Sequence, residues 1–133
     1  MNKVFFDLEW NTGFLDGNSF DEIIEIGAVK TDEEYRQIDG FRRLIRPVIY
    51  RKMNPYIQKI LAITMKDLQG EEPLASVAKA FFDWCGDCDT LIAWSGNDFG
   101  VLEKNLAHIG MKIPEQLGRY DVQMAYAYRT ENS

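Results

Sequence analysis

The residues best suited to chemistry lie near the start of the chain, in Phe6-Asp7-Leu8-Glu9. On a strand, Asp7 and Glu9 point to the same face, with Cα atoms about 6.6 Å apart. That spacing lets both carboxylates reach one metal ion, or two ions about 3.5–4 Å apart. The surrounding segment is apolar, so the strand reads as central in a sheet. Two ionised carboxylates there carry a large desolvation cost unless cations neutralise them. Hard oxygen ligands favour Mg²⁺ or Mn²⁺. The alternative is a solvated outer strand face that happens to carry two acids. A further candidate is Asp98, in Trp94-Ser95-Gly96-Asn97-Asp98-Phe99. It follows a short apolar strand and opens a helix, and strand carboxyl ends are where such sheets build sites. The alternative there is a plain helix cap by Asn97 or Asp98.

The other reactive residues are fewer. Cys85-Gly-Asp-Cys88 has redox or zinc spacing, but His108 is the one histidine and cannot complete a zinc set. The pair closes a helix and precedes a strand, the reverse of a thioredoxin-type motif. Two reduced thiols at a helix end are expected, with a thiol oxidoreductase as the competing class.

The elements that must hold these residues follow from periodicity. Lys3 to Trp10 predicts a strand, with Val4, Phe6, Leu8 and Trp10 on one side and Phe5, Asp7 and Glu9 on the other. Asn11 to Asn18 reads as a loop and Asp32 to Asp39 as a polar turn. Strands are predicted at Ile23–Lys30 and Phe41–Arg46, the latter stopped by Pro47. Helices are predicted at Asn54–Leu61, Pro73–Cys85 and Asp98–Ile109. Short strands are predicted at Thr90–Trp94 and Gly118–Val122, with helical character through Arg129. The order implies an α/β fold: a mixed five-stranded sheet, three strands antiparallel, with helices on its faces.

With 133 residues the chain fits a single domain spanning 1–133, and 46% hydrophobic with 27% charged residues is an ordinary globular composition. No apolar run approaches the roughly 20 residues of a membrane span. The start lacks the pattern of a secretory signal. A cytoplasmic protein without membrane contact is expected. Net charge −6 argues against a protein that coats nucleic acid electrostatically, but not against local binding. Arg42, Arg43, Arg46, Arg51 and Lys52 cluster, either as a phosphate-facing patch or as a solvated strand edge.

In combination these segments resemble the DnaQ-like exonucleases of the Asp-Glu-Asp-Asp class, with an RNase H-like fold. Asp7 and Glu9 match the first motif. Ile23-Ile24-Glu25-Ile26-Gly27-Ala28-Val29 matches the second strand, and Leu61-Ala62-Ile63-Thr64 the segment that follows. Asp98 matches the second motif, and Asp121-Val122-Gln123 the Asp of the fifth strand. The resemblance implies that Asp7, Glu9 and Asp98 hold two Mg²⁺ or Mn²⁺ ions, one activating water and both stabilising the scissile phosphate. It implies substrate contacts from Leu8, Trp10, Asn11, Ile63 and Thr64. Trp10 and Asn11 stand where many relatives carry Thr-Thr.

One departure matters. The family's third motif is a His followed five residues later by Asp, in a helix beyond the last strand. The chain reaches Ser133 without it. His108 lies ten residues into the helix that Asp98 opens, remote from the site. The expectation is therefore a 3′–5′ exonuclease domain acting on single-stranded DNA or RNA 3′ ends, but lacking its final catalytic helix. A face left by that helix would favour self-association. The alternative is a catalytically impaired relative that binds nucleic acid or protein through the same fold.

Overall fold

Alternating apolar residues build three antiparallel strands: β1 (Lys3–Leu15), β2 (Asn18–Thr31) and β3 (Gln37–Leu44). The structure, a computed structural model, describes residues 1–93 and 96–122. Then come helix α1 (Pro55–Leu61), the single turn α2 (Met65–Leu68) and α3 (Leu74–Cys85). Strand β4 (Thr90–Ala93), helix α4 (Gly96–His108) and strand β5 (Gly118–Asp121) complete the order. The sheet runs β3-β2-β1-β4-β5, with β4 and β5 parallel to β1. The strand bearing Asp7 and Glu9 is therefore central, and the mixed five-stranded RNase H-like sheet expected from sequence is the observed fold.

The boundaries differ where polar residues hid regular structure. Asn11 to Asn18 is not a loop. The first two strands pair through Leu15 and Asn18, and only Asp16 and Gly17 turn the chain. Their φ values of 52° and 83° are those of a two-residue type I′ hairpin turn. β3 begins earlier than expected, at Gln37, and stops at Leu44. The polar turn before it shrinks because the Asp32 carboxylate accepts from the N–H groups of Glu34 and Arg36. α2 carries a Thr64 capping box that sequence periodicity did not show. The predicted helical run through Arg129 lies outside the described residues beyond Val122, as does Trp94 of the predicted fourth strand.

One sheet face carries the main core. Val4, Phe6, Leu8, Ile26 and Leu91 meet Val77, Phe81, Leu102 and Leu106 of α3 and α4. The opposite face, bearing Asp7 and Glu9, has a smaller cluster of Ile24, Met53 and Leu68. A β-bulge makes both possible. Glu9 pairs with Glu25 but Trp10 pairs with Ile23, so Ile24 is the extra residue. The bulge sends Ile23 and Ile24 into different cores, whereas β1 keeps its alternation. Asn11 thus stays on the face of Asp7 and Glu9.

Candidate active site

Asp98 lies in hydrogen-bond reach of Asp7, and Glu9 and Asp121 are near enough to act on its charge. Asp7 is exposed, Glu9 half-buried and Asp98 buried, at 7% exposure. Asp98 sits in the first turn of α4, inside the helix and not at its cap position. A helix N-terminus alone would stabilise its charge. Burial instead pushes the Asp98 carboxyl up to about 7, aided by the Asp7 charge, a hydrogen bond with Asp7, Glu9 and Asp121. Each influence acts in the same direction. Glu9 is raised too, by burial, then by Asp7, then by Glu25. Glu25 pairs with Arg42 of β3 at 2.8 Å. Among the described residues, no three His, Cys, Asp or Glu are grouped closely enough to hold one metal ion. What the structure offers is a partly buried set of hard oxygen donors whose negative charges act on one another. That chemistry fits a divalent cation, whose charge would offset theirs.

Three buried polar side chains align the elements that carry these groups. On α4, Asn105 accepts from Ile23 N–H at 3.0 Å and donates to Asp21 C=O at 2.7 Å. It thereby ties the helix of Asp98 to the bulge in the hairpin of Asp7 and Glu9. Glu22, buried on β2, accepts from the N–H groups of Val48, Ile49 and Tyr50 at 2.8–3.0 Å. Asn11, fully buried, donates to Lys52 C=O at 3.1 Å and accepts from Asn54 N–H at 2.8 Å. Asn54 in turn caps α1. Gly13 completes this seat: a Cβ there would lie 2.7 Å from the Tyr50 ring. The segment from Val48 to α2 is thus laid across the hairpin beside Glu9 and forms one wall of the site.

The residues expected to touch substrate divide. Trp10 packs against the main core and lines a cleft of about 330 Å³ with Phe20, Asn97 and Lys104. Ile63 is half-buried against the smaller cluster. The Leu8 side chain is in the core; its backbone N–H donates to the Asp7 carboxylate at 3.1 Å. The Asn11 amide is engaged by the 52–54 backbone, and the Thr64 hydroxyl accepts from Asp67 N–H as the α2 cap. Glu22 and Asn105 were missed as site-supporting residues. Their signal was only a polar residue within an apolar pattern. His108, exposed at the far end of α4, lies against the Phe20 ring, ten residues and about 15 Å of helix from Asp98. Cys85 and Cys88 are buried free thiols, and burial pushes Cys85 up to about 12.

Known proteins carry the same arrangement of elements. The exonuclease family RNase T matches residues 4–129. The DNA polymerase III PolC-type of Clostridium perfringens (strain 13 / Type A) is 34% identical over 112 residues. That match takes in 83% of this chain and 7% of the polymerase. A 3′-exonuclease solved for its 3′-end-specific recognition of histone mRNA stem-loop superposes with a TM-score of 0.81 at 17% identity. It covers 98% of this chain and 63% of that one. The nuclease domain of 3′hExo, a DEDDh family member bound to rAMP, gives 0.78 at 18% identity, covering 97% and 69%. E. coli exonuclease I in complex with a dT13 oligonucleotide gives 0.73 at 18% identity, covering 98% and 30%. The chain spans less than two thirds of the polymerase, the first of these exonucleases and exonuclease I. With the family match running almost end to end, the chain belongs to the RNase T family of exonucleases.

Proposed function

We propose that this domain hydrolyses terminal phosphodiester bonds of single-stranded nucleic acid from the 3′ end, with Asp7, Glu9 and Asp98 holding two Mg²⁺ or Mn²⁺ ions. The observation that carries the reading is buried Asp98, brought from across the chain into hydrogen-bond reach of Asp7 and close enough to Glu9 to feel its charge. Two divalent ions, when bound, supply an activated water and charge stabilisation for the in-line displacement. The residues supply the rest. Central β1 fixes the Asp7–Glu9 spacing, α4 presents Asp98 from the end of β4, and Asn105 holds α4 to the hairpin. Trp10 and Ile63 line the approach and contact the terminal nucleotide. Leu8 and Asn11 act from within, by fixing Asp7 and the 52–54 backbone. The similar structures, a 3′-exonuclease and an exonuclease I bound to a dT13 oligonucleotide, support the direction and the single-stranded substrate.

A slower, mainly binding role is favoured by one observation. His108 is the only histidine of the chain and stands far from the carboxylates, so no imidazole described here can accept the water's proton. General-base assistance typically contributes about 10²–10⁴-fold. Turnover by these 133 residues is therefore expected to be slow. A 5′-labelled single-stranded oligonucleotide with Mn²⁺ separates the readings. Slow shortening from the 3′ end, abolished by Asp7→Ala and by chelation, supports the exonuclease. Shortening indifferent to both contradicts the assignment.

A further inference from the structure

Charge is strongly segregated along this chain. From Gly40 through Lys66 there are seven Arg and Lys residues and no Asp or Glu, although the whole chain has net charge −6. Arg42 and Arg43 lie on the edge strand β3, where cations also serve to block strand pairing. That explanation does not reach Arg51, Lys52 or Lys59, which lie off the sheet in the arm before α1 and on α1 itself. All three are exposed, and none forms an ion pair among the described residues. Beside them stand two large side chains that the fold leaves outside. Tyr56 is 70% exposed and Ile60 58%, one turn apart on the same face of α1.

The fold places this surface beside the acidic site. Asn11 is two residues beyond Glu9 on the same face of β1, about 6.6 Å along the strand. Its amide holds the backbone of Lys52 and Asn54. Glu22, on the neighbouring strand, grips residues 48–50 through three hydrogen bonds. A cationic arm is thus clamped next to the carboxylates by two buried side chains. Cations that track a phosphate backbone, interleaved with an exposed ring on which a base can stack, are the means by which single strands are bound without sequence preference.

We propose that the arm and the outer face of α1 form a single-strand binding track, with Arg51, Lys52 and Lys59 on phosphates and Tyr56 under a base, leading the strand towards Asp7 and Glu9. This rests on the nuclease reading but is tested apart from it. Binding of a fluorescent oligothymidylate is measured in EDTA, where no hydrolysis occurs, over a range of salt concentration. Replacing the three cations together (Arg51→Gln, Lys52→Gln, Lys59→Gln) is expected to weaken binding about tenfold or more. It should also lower the log–log salt slope by about 2, at roughly 0.7 per phosphate contact on a single strand. Tyr56→Ala, at an exposed position, is expected to cost about tenfold without changing that slope. A control losing three exposed cations elsewhere (Arg36→Gln, Lys79→Gln, Lys112→Gln) is expected to keep its affinity within about twofold. Equal losses in the two triple variants, or no oligonucleotide binding by the unaltered chain at low salt, overturn the track. The second result would leave the surface fitted to an acidic polypeptide instead. Capture of Mn²⁺ with a nucleoside 5′-monophosphate, too short to reach α1, reports separately on the carboxylate site.

Discussion

At the scale of single residues, Asp98 shows how the site sets function against stability. A buried carboxyl beside Asp7, Glu9 and Asp121 is disfavoured in the metal-free fold and favoured once a cation is present. Asp98→Asn keeps the shape and removes one of the repelling charges. In chelator at neutral pH it is expected to stabilise the chain by about 1 kcal/mol, a rise of a few degrees in melting temperature. It should also abolish the upward shift that Mn²⁺ gives the unaltered chain. A melting curve in EDTA and in Mn²⁺ reads both, and a variant that melts lower in EDTA would contradict the account. The thiols make the opposite case. With Cys85 raised to about 12 and both side chains buried, neither is expected to react with a thiol reagent at pH 8 until the chain is unfolded. Cys85→Ser is expected to leave metal binding unchanged. Rapid labelling of the native chain, or loss of metal binding in that variant, would show that the chemistry had been misplaced. Asp7, Glu9 and Asp98 stood out through their order along the chain and its resemblance to a family's motifs; taken singly, a solvated strand face and a helix cap explained them as well. The engagement of Asn11 was not legible, because its partners are backbone groups more than forty positions away.

At the scale of elements, the site depends on a hairpin, a bulge and a helix kept in mutual register. Asn105 does this through the backbone on either side of Glu22. Asn105→Leu would leave Ile23 N–H and Asp21 C=O without their partner, at about 1–3 kcal/mol for each buried group. A loss of about 2–4 kcal/mol in urea unfolding is expected, together with weaker ion binding because α4 loses its register. An unchanged midpoint would remove Asn105 from this role. Strong periodicity made α3 and α4 readable within two residues. The long hairpin was not, since Thr12, Gly13 and Asn18 look like loop residues until strand pairing satisfies their backbones. Asp16-Gly17, a type I′ turn signal, marked the turn and went unused. The bulge leaves no trace in the sequence, because Ile23 and Ile24 are both apolar and either could face either core.

At the scale of the whole molecule, an acidic chain brings Asp7, Glu9 and Asp98 near one another and carries a cationic arm beside Glu9. The clamps at Asn11 and Glu22 explain why that arm is adjacent. Fold class and strand order followed from the succession of periodicities, three strands and then helix alternating with strand. The segregated charge was visible as a cluster, but its position relative to Asp7 required the β1 register. Everything proposed for this site turns on whether Asp7, Glu9 and Asp98 together hold divalent cations. The most direct measurement follows free Mn²⁺ by electron paramagnetic resonance as protein is added, with a nucleoside 5′-monophosphate present to complete the coordination. The account predicts uptake by the unaltered chain that Mg²⁺ competes away, and about tenfold or greater weakening in both Asp7→Asn and Asp98→Asn. Uptake of the same strength in the folded variants would contradict it.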